Sequence, residues 1–129
     1  RVLDQRIRAR IFERYRTALS PLLGIEFMPE LANSRSTRWL TALTIDPFQT
    51  KISPQKVIEA LAENEVEARH VWKPMHLQLL FKTCDYFPHS PDMSCSDQLF
   101  HRGICLPSGS NLTEEDQDRI IHSIFTLWS

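Results

Sequence analysis

The densest run of chemically versatile side chains is Trp72-Lys73-Pro74-Met75-His76-Leu77-Gln78. An indole, an ammonium, an imidazole and an amide surround a proline that fixes its own backbone and pushes Lys73 toward extended geometry. A loop of this kind can present stacking, proton-exchanging and hydrogen-bonding groups to a ligand. The competing reading is a surface turn in which His76 and Gln78 cap a following helix. Cys84, His89, Cys95, His101 and Cys105 raise the question of zinc. They contain no CxxC or HxxxH pair, and Cys105 falls in an apolar stretch where a thiol serves as a small core residue, so structural thiols and no metal site are expected. A Cys-His nucleophile has no local support. The 3 glycines, at positions 24, 103 and 109, cannot build a phosphate loop or a dinucleotide fingerprint.

These groups sit on a chain of 129 residues, 42% hydrophobic and 24% charged, with Gly at 3 and Pro at 8. Such values suit one compact domain with its own core, or part of a larger one, and weigh against disorder, collagen or coiled coil. No apolar run approaches the length of a membrane helix, so a soluble protein is expected. The 15 Lys+Arg and 16 Asp+Glu give a net charge of -1, which argues against nucleic-acid binding. An odd set of 3 Cys without CxxC fits the reduced thiols of a cytoplasmic protein. The chain opens on Arg rather than Met, with helical periodicity from the start, and is expected to be part of a longer protein.

Leu3, Ile7, Ile11, Tyr15 and Leu19 recur every fourth residue and predict an amphipathic helix over 2–19, stopped by Ser20-Pro21. Arg6, Arg8, Arg10, Arg14 and Arg16 fall mostly on its other face, interrupted by Asp4 and Glu13, and read as a solvated or interdomain surface. A short strand is expected within 22–28 and a buried strand over Arg38–Ile45. Ser53-Pro54 supplies an N-cap and a first-turn proline for a helix fading near Asn64. Val66–Trp72 reads as extended, 84–100 as a polar connection with room for a short helix over 92–100, and Gly103–Leu106 as a short strand. Thr113 and Asp116 form a capping-box pattern ahead of Ile120, Ile121, Ile124, Phe125 and Trp128, the apolar face of a last helix. The order of elements favours an α/β or α+β layer structure.

VEARHVWKPMHLQ (Val66–Gln78), SRSTRWLTALTID (Ser34–Asp46) and GICLPSGSNLTEEDQDRI (Gly103–Ile120) together resemble, in order and spacing, the carboxy-terminal part of sugar-nucleotide aminotransferases of the DegT/DnrJ/StrS family. Residues 2–19 resemble the long helix that leaves the large cofactor domain there, so the resemblance spans essentially the whole chain. It is strongest to members that make amino sugars for bacterial surface glycans, the bacillosamine-type enzymes, in which a WKPMHLQ-like stretch is characteristic. Glu65 departs from the pattern where Gly or Asn is common, and Leu79 departs where Pro often follows HLQ.

The resemblance implies an α/β (α+β) unit over 1–129, the small domain of a fold-type I aminotransferase, with a small antiparallel-rich sheet flanked by helices. It implies a pyridoxal 5'-phosphate enzyme that moves an amino group from glutamate onto a nucleotide-linked keto-sugar and works as a homodimer. The family keeps the lysine that anchors the cofactor in its large domain. None of Lys51, Lys56, Lys73 or Lys82 lies in a matching context, so this chain alone is expected to hold no catalytic residue, to bind no pyridoxal phosphate and to be inactive. Its expected part is to shape the substrate site. His76 would approach the substrate, Trp72, Lys73 and Gln78 would support the loop, Arg38 would pair a phosphate or carboxylate, and Trp39 would stack or, more commonly for such a residue, enter the core. The alternative is a stand-alone, non-catalytic domain that binds a protein partner.

Overall fold

A computed structural model describes residues 2–129. Four helices and four strands follow in the order α1 (Val2–Leu19), β1 (Ile25–Phe27), β2 (Thr41–Ile45), α2 (Pro54–Glu63), β3 (Arg69–His70), α3 (Cys95–Arg102), β4 (Gly103–Leu106) and α4 (Glu114–Trp128). The strands form one antiparallel sheet in the order β1-β2-β4-β3. Its register pairs Ile25 with Ile45, Leu43 with Ile104 and Arg69 with Cys105.

Alternation along the strands sends Leu43, Ile45, Ile104 and Leu106 to one face, where α1, α2 and α4 cover them. The α1 stripe delivers Ile11, Tyr15 and Leu19 to that core, α2 delivers Val57 and Leu61, and α4 delivers Ile120 and Ile124. Each such buried aliphatic chain contributes ~1.5–3 kcal/mol. Two polar bonds set the pitch of α1: the Tyr15 hydroxyl donates to the Pro107 carbonyl at 3.1 Å, and buried Gln117 donates to the Ile11 carbonyl at 2.8 Å. The arginine face of α1 is only partly solvated. Arg10 reaches Glu114 at 2.9 Å and Arg14 reaches Asp118 at 2.6 Å, both on α4.

The caps follow the residue types. Ser53 accepts from the Lys56 amide, and Thr113 both accepts from the Asp116 amide at 3.1 Å and donates to its carboxylate at 2.8 Å. At the far end of α2 the Val66 amide reaches the Leu61 carbonyl and the Glu65 amide reaches the Ala62 carbonyl, a Schellman arrangement that needs a left-handed residue. Glu65 supplies it at φ 59, a conformation that Gly or Asn adopts at lower cost. Glu65→Gly is expected to stabilise the fold by about 0.5–1 kcal/mol, because relief of the side-chain clash outweighs the added freedom of the unfolded chain. Thermal unfolding checks it; a lowered midpoint contradicts the cap.

Two expected elements are shortened. β1 follows Gly24 within the segment 22–28 as expected, whereas β3 occupies only Arg69–His70 of the segment 66–72. The predicted strand Arg38–Ile45 begins only at Thr41, because Arg38 takes a left-handed φ of 48 and breaks the alternation ahead of the sheet. Among the described residues no helix is long and apolar enough to cross a membrane.

Candidate functional site

The loop from Val71 to Gln78 hangs from the join between α3 and β4. The Val71 amide donates to the Gly103 carbonyl at 3.1 Å, and its side chain fills the space a Gly103 side chain would need. A Cβ on Gly103 would meet Val71 Cγ2 at 2.8 Å and collide with the Leu99 carbonyl oxygen. Beyond Pro74 the chain makes two 3-10 turns, Met75–Leu77 and Leu79–Phe81. Gln78 Nε2 donates to the Lys73 carbonyl at 3.0 Å, closing the loop across its base. The capping alternative fails, since neither 3-10 turn has a side-chain cap.

His76 turns to the start of α3 instead. Its Nε2 lies 2.6 Å from Asp97 Oδ1, and its ring stacks on Tyr86 with centroids 3.6 Å apart and planes 13° from parallel. The Tyr86 hydroxyl bonds Ser94 Oγ at 2.7 Å, and the same Ser94 oxygen caps α3 by accepting from the Asp97 amide at 3.3 Å. His76, Tyr86, Ser94 and Asp97 thus form one continuous network that fixes an imidazole at the tip of the loop.

At the other end of the loop Trp72 stacks on Trp39, with centroids 5.8 Å apart and planes 25° from parallel. The core position considered for Trp39 is not adopted: Trp39 and Trp72 are 60% and 66% exposed. The cause is local. Left-handed Arg38 turns Trp39 away from the helix-covered face, while its own side chain, 11% exposed, folds back on Glu30 at 3.1 Å and over the Phe12 ring at 3.7 Å. Arg38 therefore lies outside any strand, with its guanidinium engaged within the fold, where it holds the turn that presents Trp39.

Two grooves flank the tryptophans. One of about 410 Å³ is lined by Trp39, Trp72, Arg69, Cys105 and Pro107. The other, about 540 Å³ and largely apolar, runs over the sheet face opposite α1, α2 and α4, between Met28, Ala42, Thr44, Trp72 and Leu99 of α3. Cys105 is only half-buried and belongs to the first groove rather than to the core, because its strand position pairs with Ala42 and Arg69 on that same face. Burial still pushes its thiol pKa up, which keeps it protonated and unreactive near neutral pH.

Of the six residues singled out in the sequence, the fold joins Trp39 to Trp72 and Gln78 to Lys73, sends His76 to the α3 network and turns Arg38 inward. Asp97, Tyr86 and Arg69 were not singled out. An acidic residue three positions after Ser94 reads as an ordinary first-turn residue, and nothing in the spacing connects it to an imidazole 21 positions earlier. Among the described residues no group of three or more His, Cys, Asp or Glu side chains converges to hold a metal ion.

Nor do the residues fit a pyridoxal phosphate cradle. Lys51, Lys56, Lys73 and Lys82 are all exposed, whereas covalent anchoring needs a lysine held against the cofactor ring.

Helices packed with a small antiparallel sheet match the corresponding part of solved fold-type I aminotransferases. The profile of the DegT/DnrJ/EryC1/StrS aminotransferase family matches residues 3–125, and the chain belongs to that family. It is 47% identical over 129 residues to EpsN of Bacillus subtilis (strain 168), by name a candidate pyridoxal phosphate-dependent aminotransferase, covering 98% of this chain and 32% of that protein. Among solved structures, a DegT DnrJ EryC1 StrS aminotransferase from Brucella abortus superposes with a TM-score of 0.77 at 25% identity, over 97% of this chain and 31% of that one. DesV of S. venezuelae superposes with a TM-score of 0.81 at 14% identity, over 97% and 32%, and shares the fold. The chain thus spans about a third of the length of the relatives it matches.

Proposed function

We propose that residues 1–129 are the carboxy-terminal small domain of a pyridoxal phosphate-dependent sugar aminotransferase whose large, cofactor-binding domain lies on polypeptide outside this chain. The parent protein moves an amino group from glutamate to a keto-sugar carried on a nucleotide, in the cytoplasm, as a homodimer, to supply an amino sugar for a bacterial surface glycan of the bacillosamine type. The cofactor supplies the group-transfer chemistry. This chain's residues bind and orient the sugar nucleotide and, alone, catalyse nothing.

The observation that carries this reading is the 47% identity to EpsN across 98% of the chain. Within that loop His76 meets the substrate, Gln78 and Lys73 hold the loop closed, and Trp39 and Trp72 offer planar faces to a base or to the apolar face of a sugar ring. Arg38 serves by positioning Trp39, so its expected pairing with a phosphate or carboxylate is left to groups outside this chain.

The test uses the full-length protein that carries this chain, supplied with pyridoxal phosphate, glutamate and a panel of uridine- and thymidine-diphosphate-linked keto-hexoses. Release of 2-oxoglutarate coupled to an aminated sugar nucleotide, identified by mass, is the expected result. Consumption of no keto-sugar in the panel contradicts it.

A further inference from the structure

The network behind His76 assigns a role to a residue that neither the loop sequence nor the family likeness singles out. From the geometry we infer that Asp97 is a positioning residue: it fixes His76 as the Nε2–H tautomer and leaves Nδ1 as a hydrogen-bond acceptor for a hydroxyl of the substrate sugar. This rests on the reading in which His76 meets the substrate.

A carboxylate oxygen accepts and does not donate, so at 2.6 Å from Asp97 Oδ1 the proton of a neutral imidazole resides on Nε2. The other nitrogen is then a bare lone pair. Among the described residues no hydrogen bond is made to Nδ1, and it is not among the fully buried polar atoms left without a partner, so it keeps some access to solvent. Rotation about Cβ–Cγ, which would carry Nε2 away from Asp97, is blocked on one side by the Tyr86 ring at 3.6 Å. Tyr86 and Asp97 are in turn tied to each other through Ser94, at 2.7 Å and 3.3 Å. His76 and Asp97 side chains are 17% and 30% exposed, so the pair is partly shielded from solvent and the hydrogen bond competes well with water. A sugar hydroxyl is the ligand group that suits such an acceptor: it can donate to Nδ1, whereas a phosphate oxygen, itself an acceptor, cannot bond a bare lone pair.

The first measurement is spectroscopic. In the full-length protein labelled with ¹⁵N-histidine, the His76 signal, assigned by its loss in His76→Gln, is expected to show the Nε2–H tautomer near neutral pH. An Nδ1–H tautomer, or rapid exchange between the two, overturns the inference. The second measurement is kinetic. Asp97→Asn replaces a group that only accepts with an amide that can either accept from or donate to Nε2, and so releases the tautomer. It is expected to raise KM for the keto-sugar about tenfold, more than it lowers kcat, while Asp97→Glu recovers most of the loss. Equal effects of Asn and Glu, or an unchanged KM in Asp97→Asn, contradict the positioning role. If no keto-sugar is turned over, the proposed activity fails, while the tautomer measurement still decides what Asp97 does.

Discussion

Gly103→Ala is expected to be the most damaging single methyl group that can be added to this chain, lowering stability by about 2–3 kcal/mol. Gly103 ends α3 and begins β4 without an intervening loop, so its surroundings cannot relax independently. The new methyl would press on Val71 at 2.8 Å and on the backbone carbonyl of Leu99, and backbone cannot rotate out of the way as a flexible side chain can. Relief requires β3 and the loop that follows to lift from β4, carrying Trp72 away from Trp39. Denaturant unfolding checks the stability, and Trp fluorescence in the native state checks the separation of the indoles. A variant within 0.5 kcal/mol of the parent, with unchanged fluorescence, would show that the α3–β4 join is looser than described.

The largest functional effect is expected from His76→Ala in the full-length protein, a fall in kcat/KM for the keto-sugar of roughly ten- to a hundredfold. The domain should remain folded. The lost hydrogen bond to Asp97 is worth only about 1–3 kcal/mol, and the partly exposed carboxylate can turn to water. Steady-state kinetics beside a far-ultraviolet spectrum separate the two effects. Unchanged kinetics remove His76 from the site, and an unfolded variant would show the network to be a structural pin.

How far the sequence discloses this molecule depends on how local each determinant is. Periodicity and capping are local, so α1, α2 and α4 lie where Leu3 to Leu19, Ser53-Pro54 and Thr113-x-x-Asp116 place them. The strand ending at Ile45 is shorter than its composition suggests, since a left-handed backbone at an arginine leaves no signature in residue type; the side chain is drawn inward by Glu30, the Met28 carbonyl and the Phe12 ring. The same hidden turn decides the fate of Trp39, whose spacing alone would have put it under the helices.

The site divides in the same way. The Trp72–Gln78 loop is visible as a run of unusual residue types, and its internal closure by Gln78 spans only five positions. The partners that give His76 its orientation stand 10 and 21 positions further on, across a proline-rich connection whose path no periodicity discloses. Cys105 was misplaced for a related reason. In a four-residue strand the pattern does not say which face the helices cover, and the register with Ala42 and Arg69 turns its side chain to the open groove.

The position of the cofactor's covalent anchor decides whether this domain is the wall of the site or its centre. Borohydride reduction of the full-length, pyridoxal phosphate-loaded protein, followed by peptide mass mapping, would tag the anchoring lysine permanently. A single tagged lysine outside these 129 residues is the predicted result. A tag on Lys51, Lys56, Lys73 or Lys82, or no tag anywhere in the protein, would contradict it.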